Sequence, residues 1–157
     1  MNKKTIKALK AKRSIHLIDI ENLCVSSDLT VEMVAEVRAA YFVQVNPSKD
    51  DLFVIAASHH NMEAAAFGWP GGFHGFRSGK DGADIVLAQM MLEDDLANRF
   101  DTVFLASGDG GLAPFAASLI SKGCRVQAVS RIESVSWAMR FATGSVHYLA
   151  MTHTLAA

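Results

Sequence analysis

The sequence predicts a doubly wound α/β fold, a parallel sheet with helices on both faces. Strand-like and helix-like segments alternate from Ser14 to the end of the chain. The first of them, Ser14–Ile20, is too uniformly apolar for a half-solvated antiparallel strand and suits one buried on both faces. Acidic residues also fall just past strand ends, at the carboxyl rim where open α/β sheets hold ligands.

After the first strand, residues 30–41 place Val31, Val34, Ala35 and Arg38 at helical spacing. The turn-forming run Asn46-Pro47-Ser48-Lys49-Asp50 introduces a second buried strand, Leu52–Ala57. Ser58-His59-His60-Asn61 then leads into a short helix ending near Phe67, and Gly68-Trp69-Pro70-Gly71-Gly72 breaks it into a loop. A third strand is expected over Phe73–Arg77, a helix from Asp81 to about Asn98, and a fourth strand over Thr102–Ala106. The glycine-rich turn 107–111 feeds a helix from Leu112 to Lys122, with Pro114 in its first turn and Gly123 as its stop. A fifth strand at Arg125–Ser130, a helix near Ser134–Phe141 and a last strand at Ser145–Ala150 complete the pattern.

At 157 residues, half of them hydrophobic, the chain is long enough for one well-buried domain and short for two. No apolar stretch approaches the ~20 residues of a membrane span, and the basic N-terminus lacks the apolar segment of a secretory signal. Cys24 and Cys124 have neither disulfide nor metal spacing and read as small apolar side chains, which suits a reducing, cytoplasmic setting. The net charge of −1 conceals a segregation. Six of the fifteen basic residues (Lys3, Lys4, Lys7, Lys10, Lys12 and Arg13) stand in the first thirteen positions, leaving a formal −7 on residues 14–157. The chain thus divides into a basic arm, 1–13, and a single acidic domain, 14–157. Such an arm suits contact with nucleic acid and equally suits a solvated tail.

Three acids stand out within this framework. Asp19 ends the run Ile15-His16-Leu17-Ile18, Asp109 follows the fourth strand inside Ser107-Gly108-Asp109-Gly110-Gly111, and Asp84 opens an amphipathic helix that enters at the same rim. Each also has a local use: Asp19 with Asn22 can make a turn, and Asp84 and Asp109 can cap helices. Gathered together, they repel one another unless a cation intervenes, and hard carboxylate oxygens suit Mg²⁺ or Mn²⁺. The pattern points to a divalent-metal site acting on phosphate. Lys80 and Arg77 stand where they could position a phosphate backbone. His59 and His60 end the second strand on the same rim, whereas His16 lies mid-strand and reads as a satisfied interior histidine.

Three segments resemble the signatures of NYN domains, members of the PIN-like nuclease superfamily. They are Ile18-Asp19-Ile20-Glu21-Asn22, Lys80-Asp81-Gly82-Ala83-Asp84-Ile85-Val86-Leu87-Ala88 and Ser107-Gly108-Asp109-Gly110-Gly111-Leu112-Ala113-Pro114. The likeness in order, spacing and strand context runs over about residues 14–130. It implies a parallel sheet of order 3-2-1-4-5, here with an extra C-terminal strand, and a metal-dependent ribonuclease site. Asp19, Asp84 and Asp109 would be the ligands of Mg²⁺ or Mn²⁺, with Asn22 and Ser107 as supporting polar groups near substrate. Two positions depart from the pattern: Gly111 and Met90 stand where such proteins often carry further acids. Glu93 and Asp94 lie roughly 14–15 Å from Asp84 along a helix, too far to substitute, which leaves Glu21 and Asp81 as nearer candidates.

The expected function is that of a metal-dependent endoribonuclease acting on single-stranded RNA, with no membrane partner and with a homodimer allowed. A catalytically weakened module that binds RNA or a protein is the alternative, favoured by Gly111 and Met90. A phosphatase or phosphoacceptor domain is disfavoured, since Asp19-Ile20-Glu21 lacks a second Asp and no Lys ends the fifth strand.

Overall fold

A computed structural model describes residues 2–4 and 13–151. Most of the basic arm, including Lys7, Lys10 and Lys12, lies outside the described residues. Six strands, β1 (Ser14–Asp19), β2 (Leu52–Ser58), β3 (Phe73–Arg77), β4 (Thr102–Ala106), β5 (Arg125–Ser130) and β6 (Val146–Tyr148), form one sheet. Its order is β3-β2-β1-β4-β5-β6, and every pairing is parallel. This is the expected order with the expected extra strand. The helices are α1 (Ile20–Cys24), α2 (Val31–Val45), α3 (Met62–Gly68), α4 (Gly82–Glu93), α5 (Leu96–Arg99), α6 (Ala113–Ser121) and α7 (Trp137–Thr143).

The apolar continuity of β1 follows from its central position. Successive side chains of a strand point to opposite faces, so Ile15 and Leu17 enter one core while Ile18 enters the other. The first core packs Leu87 and Met91 of α4, Ala116 and Leu119 of α6 and Met139 of α7 against the sheet. The second packs Leu23 of α1, Val34, Val37 and Tyr41 of α2 and Ala64 and Ala65 of α3. His16 is buried and stacked between Phe53 and Phe104, with ring centroids at 4.4 and 4.6 Å. Its Nδ1 lies 2.8 Å from the Tyr41 hydroxyl and its Nε2 3.0 Å from Asp51 Oδ2. Burial lowers its pKa, against the opposing pull of Asp51, so the ring is neutral. Nε2–H then donates to the carboxylate, and Nδ1 accepts from the tyrosine.

Several boundaries differ from expectation, each for a local reason. β1 stops at Asp19 because that residue caps a short helix, α1, its carboxylate accepting from the Asn22 N–H. Capped by Thr30, α2 runs on to Val45, and Asn46 ends it in the left-handed conformation at φ 51°. The expected helix 81–98 is two helices, because Asp95 is left-handed at φ 49° and its carboxylate accepts from Asn98 Nδ2 at 2.9 and 3.1 Å. That turn buries Leu96 and Phe100. Ser136 caps α7, whose start is therefore later than position 134. Among the described residues, no helix is long and apolar enough to cross a membrane.

Candidate active site

The sheet reverses its winding at β1, which pairs with β2 on one side and β4 on the other. Such a switch point opens a crevice at the carboxyl edge. Ile18 is in register with Ala106, so Asp19 and Ser107, the next residue of each segment, emerge side by side. The Ser107 hydroxyl donates to Asp19 Oδ2 at 2.9 Å and accepts from the Asp109 N–H at 3.2 Å. Asn22 Oδ1 accepts from the Gly108 N–H at 2.8 Å. One small network thus ties the end of β1 to the turn carrying Asp109. Gly108 permits this packing, since a Cβ there would lie 2.2 Å from the Ser134 carbonyl oxygen.

Asp84 reaches the same place from α4. The helix begins close behind β3 because Gly82 sits against it, where a Cβ would come within 2.1 Å of the Arg77 carbonyl oxygen. Asp84 is thereby held in the first turn of α4, facing Asp19 and Asp109. Its carboxyl pKa is pushed up to about 8, first by burial, then by the charges of Asp19 and Asp109, then by hydrogen bonding with both. Burial also raises Asp19, to about 6, against the hydrogen bonds from Asn22, Ser107 and Asp84. Asp84 Oδ1 is shut off from solvent and has no hydrogen-bond partner. Asp109 Oδ1 accepts from the Gly111 N–H at 2.6 Å.

These are neighbouring carboxyl groups rather than a finished cage: among the described residues, no three His, Cys, Asp or Glu side chains are already arranged around one point as metal ligands. The donor set nevertheless fits a hard divalent cation. It is all oxygen, it strains against its own charge, and it holds one buried oxygen unpaired.

The remaining residues sort by exposure. Ser107 is buried, and its hydroxyl is committed within the network. Arg77 ends β3, and exposed Lys80 follows in the β3–α4 loop. His59 Nδ1 lies 2.8 Å from Ser78 Oγ and His60 Nε2 2.6 Å from the Ser27 carbonyl oxygen, so both histidines tie rim loops together. Glu21 is occupied: its carboxylate accepts from the Ser58 N–H at 2.8 Å, from Asn61 Nδ2 at 2.7 Å and from Ser58 Oγ at 3.1 Å. It clasps the end of β2 to α1 and is not available as a fourth ligand. Sequence reasoning passed over its buried partner Asn61, and also Arg131, a rim cation directly after β5 that pairs with Glu133 at 2.6 Å. A basic residue immediately beyond a buried strand was the signal for Arg131.

Residues 14–150 match the sequence profile of the NYN domain. The chain belongs to the NYN domain family. Its fold is accordingly that of the PIN-like nucleases, enzymes that usually use divalent metals. No curated protein matches the chain. Among solved structures it resembles a protein of unknown function, VPA0982, from Vibrio parahaemolyticus RIMD 2210633. The two are 14% identical, superpose with a TM-score of 0.54, and share 88% of this chain and 93% of that one. At that identity the likeness speaks to fold alone. Within this NYN domain, Met90 packs against the core beneath α4, and Gly111 is exposed with only Asp109 Oδ1, at 3.1 Å, near a Cβ built on it.

Proposed function

We propose that this NYN domain is a metal-dependent endoribonuclease that hydrolyses phosphodiester bonds of single-stranded RNA, with Asp19, Asp84 and Asp109 holding Mg²⁺ or Mn²⁺. The observation that carries the reading is Asp84. A carboxyl group pushed up to about 8, with an unpaired buried oxygen and two carboxyl neighbours, is a strained arrangement that a cation would relieve. A bound divalent ion supplies Lewis acidity and offsets charge on the phosphate oxygens. Ser107 and Asn22 act within the site: they fix Asp19 against the Asp109 turn and keep its oxygens directed. Arg77 and Lys80 at one side of the rim hold the RNA backbone, and the arm at 1–13 adds contacts that carry no sequence preference.

The test is Asp19→Asn, assayed on single-stranded RNA with Mn²⁺ or Mg²⁺ and on a phosphomonoester. The substitution should abolish RNA cleavage while leaving the fold intact. Cleavage at the parental rate would remove Asp19 from the chemistry, and a preference for the monoester would point to a phosphatase. Gly111, beside Asp109 at the rim, favours a second reading, a module that binds RNA but turns it over slowly or not at all. It predicts RNA binding by the parent chain without metal-dependent cleavage.

A further inference from the structure

We propose that Trp137 and Phe141, with Arg140 beside them, form a stacking platform for the unpaired bases of single-stranded RNA next to the carboxylate rim. The proposal rests on the ribonuclease reading for its ligand. Trp137 is 83% exposed and Phe141 88% exposed, and they stand four residues apart on α7, on one face of the helix. The fold does not need either ring. Met139, between them in sequence, is the residue that anchors α7 in the core.

Their placement ties them to the site. The Ser136 N–H donates to the Gly108 carbonyl at 2.9 Å. A Cβ at Gly110 would lie 3.1 Å from Ser136 Oγ and 3.6 Å from Ala138 Cβ. Trp137 therefore sits between two residues that border the turn bearing Asp109. The other strongly exposed rings lie elsewhere: Phe73 opens β3 at the far end from the rim, and Phe67 belongs to α3.

Charge selects the occupant. All sixteen acidic residues fall between Asp19 and Glu133, so the segment from Ser134 onward has none. The Arg140 guanidinium lies over the Tyr148 ring, 5.8 Å from its centroid, and Tyr148 is 39% exposed. Aromatic rings interleaved with a cation, on a segment that carries no acid of its own beside the carboxylate rim, suit a polyanion that also offers flat apolar faces. Single-stranded RNA is that ligand. A stacked base is sequence-tolerant and contributes roughly five- to a hundredfold in affinity.

The full chain in EDTA is titrated with a labelled oligouridylate, following RNA anisotropy and tryptophan emission. Trp69 is 1% exposed, so a change in emission reports Trp137. Trp137→Ala/Phe141→Ala should weaken binding by about tenfold or more, with an unchanged melting temperature, whereas Trp137→Phe should stay within about threefold of the parent. Parental affinity in the double alanine variant overturns the proposal, as does failure of the parent chain to bind. So does a parental dimer that the double variant splits while RNA affinity is kept, which would make this face a self-association surface. Loss of binding in the double variant, with no metal-dependent RNA cleavage by the parent chain, would sink the ribonuclease assignment and leave the platform standing. The reverse pair of results would sink the platform alone.

Discussion

Asp84→Asn removes the most strained group of the site and leaves its shape. Burial, then the charges of Asp19 and Asp109, push the native carboxyl of Asp84 up to about 8 from its ordinary 3.8. Between those values the unfolded chain has released the proton and the native chain keeps it. Native stability contributed by this group is therefore full below about pH 4, falls as pH rises toward 8 and levels off above that, at up to ~1.4 kcal/mol per pH unit for one proton. The whole interval corresponds to about 6 kcal/mol, but Asp84 is only half-buried and solvent screens its neighbours' charges, so about 2–3 kcal/mol is the working figure. Urea denaturation in EDTA at pH 5 and pH 8.5 measures it. The parent should lose stability over that span, and Asp84→Asn should lose about 2 kcal/mol less and exceed the parent at pH 8.5. Saturating Mn²⁺ should raise the parent far more than the variant, because a ligand stabilises only the state that binds it. Identical pH slopes in EDTA, or a variant less stable than the parent at pH 8.5, would refute the idea that Asp84 is held against repulsion.

Three further outcomes follow from single contacts. Gly82→Ala puts a Cβ 2.1 Å from a backbone oxygen that cannot rotate away, and should cost about 2–3 kcal/mol in urea denaturation while displacing Asp84 and ending cleavage. Gly111→Asp meets nothing but Asp109 Oδ1, so the chain should fold and gain about fivefold in Mn²⁺ affinity by calorimetry, with apo stability lowered by about 1 kcal/mol. Weaker metal binding in that variant would exclude position 111 from the site. Tyr41→Phe leaves His16 Nδ1 without its partner inside the core and should cost about 1–2 kcal/mol, with the cleavage rate unchanged.

What the sequence revealed and what it hid divide along one line, the range of the interaction. Ser14–Asp19 was legible because a two-sided core imposes a continuous apolar run, and the Gly108 turn because Asp and Gly mark strand-to-helix junctions. Helix α1 was not, since five residues cannot display a helical period. The break at Asp95 was hidden by an unbroken helical pattern, since what decides it is a left-handed backbone at one non-glycine residue. Glu21 is the most instructive case. Judged by proximity to Asp19 it looked like a fourth ligand, but its partners Ser58 and Asn61 stand 37 and 40 residues away and occupy it. Distant hydrogen bonds of that kind leave no local trace.

The acid count of the rim bears on how RNA could approach at all. Three ionised carboxylates with one divalent ion leave a residual negative charge, and the charge of Glu21 stands close enough to raise the pKa of Asp19. A phosphodiester entering there would be repelled unless cations flank the ion. Arg77 and Lys80 stand on the β3 side, and Arg131 stands beyond β5, next to the acid-free segment that carries Trp137 and Arg140. A further acid at position 111 would favour a second ion, yet it would also deepen the negative field of a body already at −7. Met90 lies toward the amino edge of the sheet, beside Leu52 and Phe73, so an acid there would not reach the ion, and glycine at 111 leaves the rim position without charge. On the ribonuclease reading, the same departure at Gly111 that argues against a two-ion clamp makes a one-ion site easier for a polyanion to enter. Flanking cations and stacked bases would then hold the RNA in place, a task that a more acidic rim would leave to a second metal.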